Sequence, residues 1–203
     1  NTTAWGNGIF ASFSYYKDAW SVTLDYKNYR FDPRDPFERD DFGRASKALP
    51  FQNGPIVHKE HSSTLLSRAM HQVDFNDEVG LQAEVNYMAS DKLTLALNAS
   101  LSSRHFAYVY DANNFTFTRE DASGVLPSSD DARSPFSEIY IEGEYYYDGV
   151  NSVKVAAAGR EKVFYSDFTG GANSHKITSF VLPVKGQHTF SREWGVMYQA
   201  EYE

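Results

Sequence analysis

Cysteine is absent from the 203 residues, which excludes disulfides and thiolate metal sites. Long apolar runs are absent too. Hydrophobic residues make up 41% of the chain, and no run approaches the roughly 20 consecutive apolar residues of a membrane-crossing helix. The longest, such as Phe180-Val181-Leu182-Pro183-Val184, are strand-sized. Positive charge is in deficit: 19 Lys and Arg against 27 Asp and Glu give a net charge of -8. That argues against a nucleic-acid partner, whose phosphates are bound by cationic side chains. A leader pattern is missing and the first residue is Asn1, so the expectation is a processed chain or a piece of a longer one.

Aromatic residues, by contrast, are abundant: 14 Tyr, 15 Phe and 3 Trp make 16% of the chain, at a mean hydropathy of only -0.52. Low hydropathy with many aromatics suits a barrel wall, where apolar and polar residues alternate and aromatics mark the lipid interfaces.

Period-2 alternation recurs eight times. Leu93, Leu95, Leu97, Ala99 and Leu101 alternate with Thr94, Asn98, Ser100 and Ser102, and Leu81, Ala83, Val85 and Tyr87 with Gln82, Glu84 and Asn86. Trp20, Val22, Leu24 and Tyr26 alternate with Ser21, Thr23, Asp25 and Lys27, and Trp194, Val196 and Tyr198 open the last run. The pattern is weaker at 6–16, 135–147, 151–165 and 175–190. Strands are therefore expected at about 6–16, 19–31, 78–90, 93–104, 135–147, 150–165, 175–190 and 194–203.

The connections alternate as well. Short turns at Lys17-Asp18, Ser90-Asp91-Lys92, Tyr147-Asp148-Gly149 and Ser191-Arg192-Glu193 are separated by long loops at about 32–77, 105–134 and 166–174. Outer-membrane barrels have this rhythm of short periplasmic turns and longer extracellular loops. Aromatics gather at the turn ends (Tyr15, Tyr16, Trp20; Tyr145, Tyr146, Tyr147; Phe190, Trp194), where an interfacial girdle would sit. The expected fold class is all-β: an antiparallel transmembrane β-barrel with about eight strands present, one domain over 1–203. Both ends of the chain fall on the long-loop side, and the last residues lack a closing aromatic, so a section of a larger barrel is expected. A self-contained eight-strand barrel is the structural alternative, and a soluble β-sandwich or solenoid the non-membrane one.

The stretch that opens Pro55-Ile56-Val57-His58-Lys59-Glu60-His61 and runs to Arg68, followed by Asn76-Asp77-Glu78-Val79-Gly80-Leu81-Gln82-Ala83-Glu84, resembles an uncharacterised family of large outer-membrane β-barrel proteins of Bacteroidota-like bacteria. The resemblance covers the first half of the chain. It implies fold and location and supplies no activity and no functional residues.

Candidate lumen-facing residues are Asp25, Lys27, Glu84, Glu138, Glu142, Glu144, Lys154 and Arg160; candidate lipid-facing residues are Leu81, Val85, Leu93, Leu95, Leu97 and Trp194. Glu138, Glu142 and Glu144 share a face with Tyr140, and the next strand offers Lys154, Arg160 and Lys162. Such ladders either pair to hold the wall or set up a transverse field that orients solutes; wall pairing is preferred. His58-Lys59-Glu60-His61 lacks the i, i+4 spacing of a helical zinc site and reads as a solvated loop or a fold-back contact. The Asp-rich loops 32–41 and 128–131 lack the spaced calcium pattern. No Ser, His and acid grouping is marked by spacing. No catalytic residue, cofactor or metal is expected. The functional expectation is a non-enzymatic outer-membrane barrel acting as a solute conduit with a charged lumen. The alternative is a structural or assembly component that binds a partner through its long loops. The partners expected are outer-membrane lipid and other outer-membrane or periplasmic proteins.

For three hairpins the residues suggest a register. Ala89 opposite Leu93 sets Val85 against Leu97 and Glu84 against Asn98. A Lys17-Asp18 loop sets Phe13 against Val22. A Tyr147-Asp148-Gly149 loop with Gly at a bulge sets Glu142 against Lys154; a shift of one residue would pair Glu144 with Lys154 and Glu138 with Arg160.

Overall fold

The computed structural model describes residues 6–31, 55–68, 71, 77–111, 113–114, 116–121, 124–166 and 173–203. It is all-β. Among the described residues ten strands run in chain order: β1 (Gly6–Lys17), β2 (Trp20–Phe31), β3 (Asp77–Ser90), β4 (Leu93–Ser103), β5 (Phe106–Asp111), β6 (Thr116–Asp121), β7 (Phe136–Tyr146), β8 (Ser152–Ser166), β9 (Asn173–Thr189) and β10 (Gly195–Tyr202). A five-residue helix, α1 (Thr64–Arg68), lies between β2 and β3. Eight strands form one antiparallel sheet in the order β1-β2-β3-β4-β7-β8-β9-β10, and β5 and β6 make a separate hairpin. The 105–134 stretch is thus not one unstructured loop. Among the described residues β1 and β10 are paired on one side only.

The alternation fixes which face each residue takes, and the turns fix the register. In the β3–β4 hairpin Tyr87 faces Leu95, Val85 faces Leu97 and Glu84 faces Asn98, as the apolar rows require. The turn is nevertheless tighter than expected. Ser90 pairs with Leu93 and a bulge between Met88 and Ser90 absorbs Ala89, so the faces stay in phase despite a shorter loop.

Two other expected registers are corrected. In the first hairpin Lys17 pairs with Trp20 and Phe13 with Leu24 rather than Val22. Asp18 takes φ 50, the left-handed conformation that a two-residue Asp18-Ala19 hairpin turn demands and that Asp tolerates. In the β7–β8 hairpin Glu144 pairs with Lys154 and Glu138 with Arg160, the alternative register rather than the preferred one. Gly149 does not take the left-handed conformation that the expected bulge needed. The Asp148 carboxylate organises the loop instead, accepting Val150 N at 2.9 Å, Asn151 N at 2.7 Å and Asn151 Nδ2 at 2.6 Å. A side chain that bonds backbone N–H groups two and three residues on replaces a glycine turn. Polar still meets polar, so the faces of this hairpin are unchanged.

The sheet has one apolar and one polar face, and the polar face is the covered one. Ile139 is 61% exposed while its neighbour Glu138 is 2% exposed. Phe13, Leu97, Leu101, Ile141, Val155 and Phe180 are likewise exposed, whereas Lys27, Asn98, Ser100 and Arg160 are buried. Over Gly80, Glu84, Glu138 and Arg160 the cover is the segment 55–68.

Candidate functional site

The segment 55–68 lies as a strap across the polar face, from β3 to β10. Its first anchor is steric: Val57 is buried over Gly80 of β3, where an added Cβ would come within 2.2 Å of Val57 Cγ2. Lys59 Nζ then lies 3.3 Å from Glu84 Oε2 and over the Tyr140 ring at 5.6 Å. His61 Nε2 sits 2.6 Å from Glu138 Oε1, with its ring 4.7 Å from that of Tyr140. Arg160 Nε donates to Glu138 Oε2 at 2.7 Å while its Nη1 donates to Leu66 O at 2.7 Å. Glu138 is therefore shared between wall and strap, and both partners are buried with it.

The helical end of the strap forms for local reasons. Ser63 caps α1 by accepting Leu66 N at 3.3 Å, the role for which a side-chain oxygen at a helix start is favoured. The remaining amino-terminal N–H groups are met by the sheet: Thr64 N and Leu65 N donate to the two carboxylate oxygens of Glu201 on β10, at 2.8 Å and 2.6 Å. Leu66 then packs with Tyr140, Ala156, Ala158 and Val181. These small and apolar residues stand in the otherwise polar row of β8 and β9, which explains why the alternation weakens there. Where the strap passes, the wall carries Gly80, Ser100, Ser102, Ala156 and Ala158; nearer the turns it carries Glu142, Glu144 and Lys154.

A second polar cluster sits at the long-loop end. Lys27 Nζ is 3.1 Å from Glu78 Oε1 with both side chains buried. His71 Nε2 lies 3.0 Å from Glu78 Oε2 and 3.0 Å from Ser102 Oγ, and its ring stacks on Phe136 at 4.5 Å. His58 stands edge-on to His71 at 5.6 Å, and its Nδ1 is buried without a hydrogen-bond partner. Burial, then the neighbouring His71, push the His58 pKa down to about 4, against the opposing pull of Glu78 and Glu138. His58 is neutral at pH 7.

All eight candidate lumen residues lie on this polar face by register. Lys27, Glu84, Glu138, Glu142, Glu144, Lys154 and Arg160 are each in an ion pair, the exposed end being Lys154 Nζ at 2.9 Å from Glu142 and 3.4 Å from Glu144. Asp25 pairs by register with Ser12 and Gln82. Leu81, Val85, Leu93, Leu95 and Leu97 lie on the opposite face, and Trp194 is exposed in the turn before β10, its carbonyl accepting Phe190 N. A cavity of about 30 Å³, lined among others by His61, Tyr140, Lys154 and Gln199, remains between strap and wall, room for a water.

In the sequence, 55–68 reads as part of a long loop, with a fold-back contact as one reading of its histidines. The fold-back is what the structure has. The signal available was the row of small and apolar residues, Gly80, Ala156, Ala158 and Val181, at positions whose alternation called for polar side chains. Among the described residues no three His, Asp or Glu side chains converge as metal ligands. The 128–131 stretch caps a 3-10 turn through Asp130; the 32–41 stretch lies outside the described residues. No protein-family model, curated protein or solved structure matches the chain.

Proposed function

We propose that this chain is a wall section of a bacterial outer-membrane β-barrel, non-enzymatic, whose polar face lines a solute conduit narrowed by the 55–68 strap. The observation that carries the reading is the inversion of burial: the apolar face is exposed and the polar face is covered by the protein's own strap. A water-soluble sheet would bury its apolar face, since burial of apolar surface is the main favourable term in folding. Lipid against Ile139, Leu97 and Phe180 and water against Lys154 and Glu142 satisfy both faces. The main strands run from 8 to 17 residues, mostly longer than the soluble mode of roughly 5–6.

The strap also bears on size. A closed barrel of about eight strands has an interior only wide enough for its own side chains. A strap carrying a helical turn on the inner face needs a wider lumen, so further strands are proposed to pair with the free edges of β1 and β10. The ion pairs of the ladder act on it in two ways: Glu138 and Arg160 hold the strap, while Glu142, Glu144 and Lys154 face the open part of the conduit.

The test is the reconstituted protein in lipid vesicles carrying single cysteines. Leu97→Cys should be shielded from a water-soluble maleimide by the bilayer and Thr94→Cys should react. In the same vesicles Gly80→Leu, which drives a side chain into Val57, should raise the entry rate of small uncharged solutes by displacing the strap. Equal reactivity at 94 and 97 would sink the membrane reading; unchanged solute entry with a demonstrably displaced strap would sink the conduit.

A further inference from the structure

The outward, apolar face changes character at its long-loop end. Leu101 is 50% exposed, yet Val79 and Ser103, the next row on the same face, are 1% and 2% exposed. The return of the chain from the β5–β6 hairpin covers them. Ser128 N donates to Ser103 Oγ at 2.8 Å, and Leu126 borders the same cavity as Val79. Tyr26 shares the outward row of Leu81 and Leu101 and donates its hydroxyl to Val125 O at 2.9 Å. Asn28 Nδ2 in turn donates to that hydroxyl at 2.9 Å. The base is fixed as well. The buried Asp77 carboxylate accepts His105 N at 3.0 Å, His105 Nδ1 at 2.8 Å and Phe106 N at 3.2 Å, and Arg133 donates to His105 O.

The turn 124–128 is thus tied down through its backbone, and it leaves apolar side chains in the open: Val125 is 69% and Leu126 61% exposed. In water alone nothing favours that display. Charge is absent from the turn too. Residues 122–129 hold no Asp, Glu, Lys or Arg in a chain that is 23% charged, and Asp121 and Asp130 bound the stretch. Height agrees with a membrane contact. The stacked Trp20–Tyr87 pair marks the short-turn side of the outward face, and Val79 lies eight residues from Tyr87 on β3. At about 3.3 Å per residue and a tilt of about 40°, that is roughly 20 Å along the membrane normal, against an apolar band about 25 Å tall. The turn therefore stands at the opposite edge of that band.

We infer that the 124–128 turn is a lipid anchor, seating Val125 and Leu126 at the headgroup–acyl boundary of the leaflet on the long-loop side. The inference rests on the reading of the apolar face as lipid-facing and adds a specific contact at its rim. Tyr26 beneath the turn is the residue type that such a boundary favours, an apolar ring with a polar tip. The exposed pair continues the outward rows of Leu81 and Leu101, so one medium meets both. Two side chains are far too few for a stable protein interface, which buries about 800 Å² per partner.

The chain has no cysteine, so a single variant takes a single label. Leu126→Cys, Ser129→Cys and Leu97→Cys, each in the full chain and carrying a nitrobenzoxadiazole fluorophore, are reconstituted in phosphatidylcholine vesicles. The lipid bears a nitroxide quencher either near the headgroup or near the end of the acyl chain. The label at 126 should be quenched chiefly by the shallow nitroxide and the label at 97 chiefly by the deep one. The label at 129, exposed but beyond the apolar pair, should be quenched mainly by aqueous iodide. Lipid quenching at 97 with a label at 126 that only iodide reaches would overturn the anchor while leaving the barrel reading intact. Lipid quenching at neither 97 nor 126 would overturn both. Equal shallow quenching at 126 and 129 would also overturn the anchor, since the turn would then merely lie near the surface.

Discussion

Glu138 and Ile139 are chain neighbours on β7, yet they meet opposite surroundings. Glu138 is held by His61 and Arg160 under the strap, and Ile139 faces outward with no protein over it. The polar face behaves as an interior, with most of its charges paired and its small residues packed; the apolar face is the exposed one. The same alternation of residue types would serve a soluble sandwich with the roles of the two faces exchanged. The comparison teaches that alternation gives two faces but not which is the inside. Here that is decided by the segment that folds back, and by the Gly, Ser and Ala positions that leave room for it.

The strongest way to break the comparison is to attack the polar face at its best-buried pair. Arg160→Ala leaves the Glu138 carboxylate buried with only His61 beside it and frees Leu66 O, and loss of one partner of a buried pair costs about 3–5 kcal/mol. Urea unfolding in lipid should show it; a loss below 1 kcal/mol would mean that the strap is not anchored there.

Next in size is the apolar face. Arginine at Leu97 should destabilise by about 2–4 kcal/mol if the position lies near the bilayer midplane. Adjacent Asn98, although on the polar face, is not a water-exposed position. It is 1% exposed, and its side chain bonds Ser100 and lies at 3.5 Å from Glu84, so arginine there should also be harmful. Thr94, opposite Glu144 on the polar face nearer the turn, should accept arginine with little change. Damage at 94 comparable to that at 97 would erase the distinction between the faces.

Gly80 offers a smaller and sharper test. Alanine there meets Val57 and should cost about 1–3 kcal/mol, as overpacking does, and pairing it with Val57→Ala should restore much of the loss. Lack of such rescue, in a double-mutant cycle, would separate the cost from the strap.

The mildest effect is on pH dependence. The folded pKa of His58 lies below its unfolded value, so on acidification the unfolded chain takes up a proton that the folded one resists. This contribution to stability is present above pH 6.5 and declines as pH falls towards 4. His58→Asn should flatten that part of the profile relative to the parent protein. A profile of unchanged slope would show that His58 is not held neutral in its buried place beside His71 and Phe136.

Strand positions were legible because period-2 patterning is strong over Leu81–Tyr87 and Leu93–Leu101, and β3–β4 pairs in the register those rows require. Turn details were less legible. Asp18 takes a left-handed φ, Ala89 slips into a bulge and Asp148 replaces Gly149 as the organiser, because short loops have several solutions that leave the faces in phase. The β5–β6 hairpin is not legible in the sequence, since its strands are six residues each within a polar stretch. The charge ladder was visible, but its division into a strap-bound half and an open half was not.

The sequence by itself determined the all-β class, the eight long strands and the two faces, because side chains alternate along an extended chain whatever it packs against. Only the tertiary structure decided that residues 55–68 cover the polar face, that Glu138 serves strap and wall together, and that His105 is locked by Asp77. Those contacts join residues 22 to 137 positions apart, and no local periodicity encodes a meeting at that distance; it follows from the sheet bringing β3, β7, β8 and β10 beneath one folded-back segment.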